Sequence, residues 1–255
     1  MIKPRTTFVL FIIVLVLVYL FLPWKGIFFI IISLLFLAHL VYCSAAICSQ
    51  AYIKTHCKAN IKEKKIAITF DDGPDKLITP EVLNILDEYN VKATFFCIGS
   101  HIEKNKELLK AIDTKGHLIG NHSWSHDRWF DLFTWRKMKS EIEKTNGLIF
   151  EITGKMAKLF RPPYGVTNPA LKKAIRAMEF HNIGWSIRSL DTVKSVEKTL
   201  KRIKKNLSPG DIILFHDNRK QISTILKQFL EYAKTNGFEI VPLDKLLGID
   251  VYKTE

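Results

Sequence analysis

Two adjacent carboxylates close a short apolar run in this sequence. The run Ile66 to Phe70 predicts a buried strand, and Asp71 and Asp72 follow it directly, ahead of a Gly-Pro turn. In α/β folds, catalytic groups collect at the carboxyl ends of parallel strands. Neighbouring like charges repel unless one carboxylate binds a cation and the other finds a proton or an arginine. The pair therefore predicts one metal ligand and one general base.

Two histidines downstream could complete such a metal site. His122 and His126 stand at positions i and i+4, a spacing that one helical turn or a tight loop can bring onto a single ion. Alone, such a pair is more often a surface or packing feature. Together with Asp72 it forms a set of two histidines and one carboxylate, which leaves coordination positions open for water and substrate.

Three later segments carry further polar groups at the ends of apolar runs. The segment Arg161 to Gly165 is stiffened by two prolines, which suits a guanidinium that must be aimed. The segment Ile183 to Asp191 combines an apolar strand with two charged residues. The run Ile212 to Phe215 ends in His216, whose imidazole could give or take a proton near neutral pH.

Taken in order, these segments resemble the five motifs of the polysaccharide deacetylases, the NodB-like domains of carbohydrate esterase family 4. The matching segments are Thr69 to Pro74, His122 to His126, Arg161 to Gly165, Trp185 to Asp191 and Leu214 to His216. The resemblance covers roughly residues 64–245. It implies hydrolysis of the N-acetyl group of an amino sugar, which needs a strong nucleophile, a stabilised oxyanion and a proton for the leaving amine.

The resemblance also implies a role for each catalytic side chain. Asp71 would be the general base and His216 the general acid. Arg161 would orient Asp71, and Asp191 would support His216.

The binding residues follow in the same way from the resemblance. Asp72, His122 and His126 would hold a divalent metal ion, usually zinc in this family, with cobalt or another divalent ion as alternatives. The backbone N–H of Tyr164 would share the developing oxyanion. Leu214 would line the pocket for the acetyl methyl group.

One motif departs from the family pattern. The fourth motif usually runs Asp-x-x-Asp-Trp, whereas this chain has Arg188 in place of the first carboxylate and Thr192 in place of the tryptophan. The support of His216 by Asp191 is the role that this change affects. It also keeps open a glycan-binding relative that binds metal without turnover.

The N-terminus predicts a membrane anchor. Residues 1–53 contain two long uncharged runs separated by Lys25, which predict transmembrane helices at about 6–24 and 26–48 and a multi-pass membrane protein. A basic linker would occupy residues 54–63, and the catalytic domain residues 64–250.

The side of the membrane on which the domain lies stays open at this point. Two spans with Lys3, Arg5 and the lysines that follow the second span favour a cytoplasmic domain by the positive-inside rule. Such a domain would meet lipid-linked sugars, and deformylation or deacylation of a polyprenyl-linked sugar is the alternative activity. A single effective span, or an inverted hairpin of two spans, would place the domain outside, next to finished envelope glycan.

Composition agrees with a membrane-attached enzyme. The formal net charge is +13, which favours anionic partners such as phospholipid headgroups, and no nucleic-acid-binding motif accompanies it. The four cysteines show neither zinc-type spacing nor a disulfide framework, so we expect buried or lipid-facing thiols. Nothing in the sequence predicts an oligomeric state.

Strand and helix patterns alternate behind the anchor. This alternation predicts parallel strands with helices outside them, and closed into a ring it gives a (β/α) barrel. The predicted strands are Ile66 to Phe70, Ala93 to Ile98, Leu118 to Gly120, His181 to Ser186, Ile212 to Phe215 and Glu239 to Val241. The resemblance adds that the barrel is distorted and has seven strands. The sequence thus predicts a membrane-anchored, metal-dependent deacetylase of a polysaccharide such as peptidoglycan or poly-N-acetylglucosamine.

Overall fold

The computed structural model describes residues 4–23 and 25–253 of the chain. Two N-terminal helices precede a series of alternating strands and helices. The helices are α1 (Pro4–Phe21), α2 (Lys25–Ala45), α3 (Ile78–Glu88), α4 (Gly99–Lys104), α5 (Lys106–Thr114), α6 (Trp135–Thr153), α7 (Pro169–Arg176), α8 (Val196–Asn206), α9 (Ile222–Thr235) and α10 (Leu243–Leu247). The strands are β1 (Thr55–His56), β2 (Lys65–Asp71), β3 (Thr94–Cys97), β4 (Leu118–Asn121), β5 (Leu159–Phe160), β6 (His181–Ile183), β7 (Ile187–Arg188), β8 (Ile212–His216) and β9 (Glu239–Ile240).

These strands form one parallel sheet, as the alternation predicts. Their order is β1-β6-β5-β4-β3-β2-β8-β7, with β9 beside the start of β2. Within the described ranges, β1 and β7 form the two ends of this order and do not pair with each other. The sheet is therefore a curled half-barrel: the predicted parallel α/β architecture is confirmed, but the sheet has nine strands and is open where a distorted ring of seven was predicted.

The strand predicted over His181 to Ser186 explains part of this difference. Only its first half is a strand, β6, because the carbonyl oxygens of Ile183 and Gly184 accept hydrogen bonds from Arg161; β7 begins at Ile187, beyond the predicted end. The short strand β1 then adds a pairing partner for β6 in front of the predicted domain.

The core of the domain lies on the central strands. In β2 every residue after Lys65 is buried, and the Phe70 ring stacks on Phe95 at 5.0 Å and on Phe215 at 5.9 Å between ring centroids. Full burial of each such side chain is worth roughly 1.5–3 kcal/mol relative to exposure. The carboxyl ends of β2, β3 and β8 are therefore held on a rigid, close-packed base.

The N-terminal helices correct the prediction of two membrane spans. Among the described residues, only α2 is long and apolar enough to cross a bilayer. The apolar part of α1 is Thr6–Phe21. At ~1.5 Å per residue it extends about 24 Å, less than the ~30 Å hydrocarbon core. Two transmembrane helices and a multi-pass protein are therefore not confirmed, and Trp24, at the end of the predicted first span, lies outside the described residues.

A disulfide bond joins the end of the anchor region to the domain. Cys48 is bonded to Cys57, so the expectation of free thiols is wrong for this pair. The physical reason is that α2 ends at Ala45, which places Cys48 beyond the helix and lets β1 bring Cys57 back to it. Cys43 and Cys97 are buried free thiols. Within the segment predicted as a linker, Lys58 pairs with Asp211 at 2.9 Å.

Candidate active site

The two carboxylates at the end of β2 face different partners. Asp71 is the last residue of the strand and pairs in register with Phe96 of β3 and His216 of β8. Asp72 has a left-handed backbone with φ +73°, and a cis peptide bond joins Gly73 to Pro74. Both carboxylates approach Nε2 of His122, Asp71 at 3.8 Å and Asp72 at 3.6 Å, but of the two it is Asp71 that is paired with Arg161.

Asp72 lies beside the two predicted histidine ligands. Its Oδ1 is 3.6 Å from Nε2 of His122 and 3.4 Å from Nε2 of His126. One ligand atom from each of the three residues lies within 4.8 Å of the others. Both histidines stand in the loop after β4, where His126 has φ +48° and its N–H donates to Oγ of Ser123. The i, i+4 spacing is thus realised by a loop and not by a helix.

The hydrogen bonding of the histidines suits metal coordination. Nδ1 of His122 is 2.7 Å from the carbonyl oxygen of Arg161, so Nδ1–H donates there and the Nε2 lone pair faces Asp72. Burial, followed by the nearby His122, lowers the pKa of His126 to about 4, which keeps this imidazole neutral. Two imidazole nitrogens and one carboxylate form a donor set that fits zinc or a similar divalent ion.

The pKa of Asp72 is shifted in the direction that a ligand requires. Burial raises this pKa, but the hydrogen bond with His122 and its charge outweigh burial and lower the pKa. Asp72 is therefore ionised at neutral pH. Burial opposes the charged form of His122, yet the charges of Asp71 and Asp72 outweigh it and raise the pKa of this imidazole.

Asp71 is held by a fully buried arginine. Nη1 of Arg161 is 2.7 Å from Oδ1 of Asp71 and 2.8 Å from Oγ1 of Thr69. The other guanidinium nitrogens donate to the carbonyl oxygens of Ile183 and Gly184. Burial lowers the pKa of Arg161, and the charge and hydrogen bond of Asp71 oppose that shift. The second oxygen of Asp71 lines the cavity, 3.8 Å from Nε2 of His122.

His216 is held by Asp191 on the opposite wall. Nδ1 of His216 is 2.8 Å from Oδ1 of Asp191, and the backbone N–H of His216 donates to Oδ2 at 2.8 Å. Ser189 donates to the same carboxylate. Burial lowers the pKa of His216, but the hydrogen bond and charge of Asp191 outweigh it, so the pKa is raised. The Asp191 to His216 contact is therefore present although the fourth motif is changed at Arg188, which is exposed.

These groups surround one cavity of about 180 Å³. Seven of the nine predicted site residues line it, while Arg161 and Asp191 lie behind Asp71 and His216. The lining residues are Asp71, Asp72, His122, His126, Pro162, Tyr164, Gly165, Trp185, Arg188, Thr192, Leu214, His216 and Arg219. A larger surface groove of about 540 Å³, lined by Val196, Lys201 and Gln228 among others, contains no comparable set of histidines and carboxylates.

Two residues that contact Asp72 were not predicted from the sequence as site residues. Nδ1 of His101 lies 2.8 Å from the backbone oxygen of Asp72. Nδ2 of Asn218 donates to Oδ2 of Asp72 at 3.3 Å. Both follow a strand of the sheet, β3 and β8 respectively, and this position after a strand was the signal that could have identified them.

Comparison with known proteins places the chain in a family. A model of the polysaccharide deacetylase family matches residues 58–183. The peptidoglycan-N-acetylglucosamine deacetylase PgdA of Listeria monocytogenes is 36% identical over 186 residues, which are 72% of this chain and 39% of that protein. A peptidoglycan-N-acetylglucosamine deacetylase of Bacillus cereus is 36% identical over 194 residues, 72% of this chain and 89% of the relative.

The solved structures agree with this assignment. The crystal structure of the Bc1960 peptidoglycan N-acetylglucosamine deacetylase aligns with a TM-score of 0.73 at 30% identity, covering 77% of this chain and 94% of that one. The chain belongs to the polysaccharide deacetylase family, whose members are hydrolases. It spans only about two fifths of the length of the Listeria relative.

Proposed function

We propose that this protein is a membrane-anchored, metal-dependent hydrolase that removes N-acetyl groups from amino sugars of peptidoglycan or a related envelope glycan. The observation that carries the proposal is the arrangement of two buried pairs, Asp71 with Arg161 and His216 with Asp191, on one cavity with the Asp72, His122 and His126 set. The names of the matched relatives support peptidoglycan as the glycan.

The proposed reaction assigns the nucleophile to one side of the cavity. A divalent ion bound by Asp72, His122 and His126 would lower the pKa of water and polarise the acetamide carbonyl. The free oxygen of Asp71 accepts the proton of the attacking water, while Arg161 fixes the carboxylate plane. The backbone N–H of Tyr164 donates to the developing oxyanion, and a single donor of this kind is typically worth about 3–4 kcal/mol.

The leaving group is served from the other side of the cavity. Because Nδ1 of His216 is bonded to Asp191, Nε2 is the atom that donates a proton to the departing amine. Leu214, whose side chain is almost fully buried yet lines the cavity, contacts the acetyl methyl group. The products are acetate and a free amino sugar.

Acetate release from a panel of glycans tests this function. We expect the full-length protein, loaded with zinc or cobalt, to release acetate from peptidoglycan strands or N-acetylglucosamine oligomers and to generate an equal amount of free amine. A chelator should stop the release, and added zinc or cobalt should restore it. Tight metal binding with no acetate from any glycan would identify a glycan-binding relative, and turnover that a chelator does not affect would reject the metal assignment.

We also propose that the catalytic domain lies on the outer side of the membrane, anchored by α2. The Cys48 to Cys57 disulfide supports this orientation, since such bonds persist in oxidising compartments and are rare in the cytosol. Two transmembrane helices would leave both ends of the chain on the same side of the membrane. A single span places them on opposite sides, so an N-terminus in the cytoplasm is compatible with an external catalytic domain.

A reporter fused after Glu255 tests the orientation. Alkaline phosphatase at this position should be active and a cytoplasmic fluorescent reporter dark. The opposite result would place the domain in the cytoplasm and favour deformylation or deacylation of a lipid-linked sugar.

A further inference from the structure

The disulfide bond between Cys48 and Cys57 lies against the wall of the catalytic cavity. Both cysteines precede the part of the chain that the family model matches, which begins at residue 58. Sγ of Cys48 is 3.2 Å from the backbone oxygen of Trp185, and Trp185 lines the cavity. Because a sulfur in a disulfide carries no proton, this is a packing contact and not a hydrogen bond. None of the catalytic roles proposed above involves the disulfide.

The residue before Trp185 is packed equally closely. Gly184 is buried, and a Cβ atom at this position would lie 2.6 Å from Sγ of Cys57 and 3.0 Å from Cγ2 of Thr55. The N–H of Gly184 donates to the backbone oxygen of His56 at 2.9 Å. The disulfide and β1 therefore contact the Gly184 backbone directly and leave no room for a side chain there.

These contacts lie where the sheet is open. The segment from Gly184 to Ser186 connects β6, which pairs with β1, to β7, which pairs with β8. The N–H of Gly184 bonds to His56 at one end of this connection, and the N–H of Ser186 bonds to the backbone oxygen of Ile212 at the other. Trp185 stands between these two bonds, so the disulfide contacts the middle of the segment that crosses the opening.

The backbone of Gly184 supports the proposed general base through Arg161. Its oxygen accepts a hydrogen bond from Nη2 of Arg161 at 2.8 Å, and the oxygen of Ile183 accepts one from Nε at 3.2 Å. Nη1 of the same guanidinium lies 2.7 Å from Oδ1 of Asp71. A displacement of Gly184 would therefore change the position of the guanidinium group that orients Asp71.

The Trp185 side chain supports the proposed oxyanion donor. A Cβ atom at Gly165 would lie 2.5 Å from Cη2 of Trp185, so the indole ring packs on the Gly165 backbone. Gly165 follows Tyr164, whose backbone N–H is the proposed donor and whose φ of +58° is left-handed. Such a conformation persists where surrounding contacts hold it. The disulfide, Trp185 and the Tyr164 to Gly165 backbone thus form a continuous series of contacts.

We infer that the Cys48 to Cys57 disulfide is a positioning element of the active site. It fixes the Gly184 to Trp185 segment, which in turn places Arg161 and the Tyr164 N–H. The inference rests on the proposed deacetylase function and adds a role for a segment outside the matched family region. Because β1 has only two residues and lies at one end of the strand order, its pairing alone holds this segment weakly, and the covalent bond restricts its movement.

Replacing both cysteines with alanine tests this role in the full-length, metal-loaded protein. At a temperature well below the unfolding midpoint of both proteins, we expect kcat for acetate release to fall about tenfold, because small displacements of catalytic groups are costly. Zinc stoichiometry should not change, because the proposed metal ligands lie outside the displaced segment. A disulfide that only stabilises the fold would lower the unfolding midpoint and leave kcat unchanged at this temperature, which would overturn the inference.

Cys43→Ala is the matched control for the loss of a cysteine. It removes a buried free thiol and leaves the Cys48 to Cys57 bond in place, so kcat should stay at the wild-type value.

Chemical reduction tests the same bond without a substitution. Cys48 is exposed, so a trialkylphosphine can reach the bond. One phosphine and one water convert the disulfide into two thiols and the phosphine oxide. The kcat of the wild type should fall to that of the double variant and recover on reoxidation with oxidised glutathione, whereas the double variant should not respond. Wild-type kcat that persists after complete reduction would overturn the inference.

Hydrogen exchange gives a readout that does not depend on turnover. The amides of Gly184 and Gly165 donate to the backbone oxygens of His56 and Pro162, and both should exchange about tenfold faster in the double variant. Amides of the central strand β3 should exchange at the wild-type rate. If no glycan is deacetylated but this difference is present, the proposed function fails while the positioning role stands. Acetate release with unchanged kcat and unchanged exchange in the double variant rejects the positioning role alone.

Discussion

Replacing Asp71 with asparagine should lower the rate of acetate release by about two to four orders of magnitude and leave metal binding intact. A positioned general base typically contributes ~10²–10⁴-fold to a rate, and the amide of asparagine cannot accept the proton of the attacking water. The metal ligands proposed here are Asp72, His122 and His126, so the substitution leaves all three in place. The measurement is kcat for acetate release together with zinc stoichiometry on the same preparation.

The Asp71→Asn variant is expected to fold because Arg161, which contacts Asp71, keeps its other hydrogen-bond partners. Arg161 also donates to Thr69, Ile183 and Gly184, and the carbonyl oxygen of the new asparagine can accept the bond from Nη1. Thermal unfolding of the variant reports any cost of leaving the buried guanidinium less well paired. Asp250→Asn, at an exposed position far along the chain, controls for loss of a negative charge. A rate near that of the wild type would assign the base to another residue.

The central strands and the residues at their ends could be predicted from the sequence. β2 and β8 are strands of seven and five residues whose largely apolar sequences end in Asp71 and His216, so both their location and the edge they face follow from pattern alone. Because the sheet is parallel, the residues at these strand ends lie together. Asp71 and His216 are paired in register although 145 positions separate them in the sequence.

The strands that keep the sheet open could not be predicted in this way. β1, β5 and β7 contain two residues each, too few to show a period of two. Their existence depends on neighbours that are distant in sequence, such as the pairing of Thr55 with Asn182. A count of strands from the sequence therefore falls short, and closure of the barrel was inferred where the sheet is in fact curled and open.

The backbone conformation of the proposed metal ligands could not be predicted from the sequence either. Asp72 and His126 both adopt left-handed conformations that non-glycine residues rarely take, and neither carries a glycine signal. Such conformations persist where surrounding contacts hold them, here the bond that the His126 N–H donates to Oγ of Ser123 and the bond between His101 and the Asp72 carbonyl. The ligand types could be predicted from spacing, but the loop geometry that joins them could not.

Replacing His216 with alanine should also lower acetate release from an acetamide by about two to four orders of magnitude. The cause is the loss of the general acid and not of the general base, and substrates with different leaving groups distinguish the two. An amine is a poor leaving group without a proton, and His216 is the proposed donor. An aryl ester such as 4-nitrophenyl acetate leaves as a stabilised phenolate and needs no such proton. His216→Ala should therefore retain most of its activity toward the ester, whereas Asp71→Asn should lose activity toward both substrates.

The dependence of activity on pH shows whether His216 acts in its protonated form. An acid must be protonated to act, and Asp191 raises the pKa of His216, so activity should persist to higher pH and fall as pH rises through that pKa. Asp191→Asn removes the charge that raises the pKa, so the alkaline limb of kcat/KM should move to lower pH while the acidic limb stays in place. His181→Ala, a partly exposed histidine whose ring lies against His56, should leave both limbs unchanged.

These two substitutions together distinguish a proton donor from a structural histidine. If His216 only supported the cavity wall, His216→Ala would reduce amide and ester hydrolysis equally and Asp191→Asn would lower the rate at every pH by the same factor. If it donates the proton, the loss depends on the leaving group and on pH, because both change how much the reaction gains from an acid. The backbone bond from His216 N–H to Asp191 can persist with asparagine, whose side-chain oxygen still accepts, so Asp191→Asn changes the charge with little change in shape. An alkaline limb that does not move in this variant would show that the proton reaches the amine from a group other than His216.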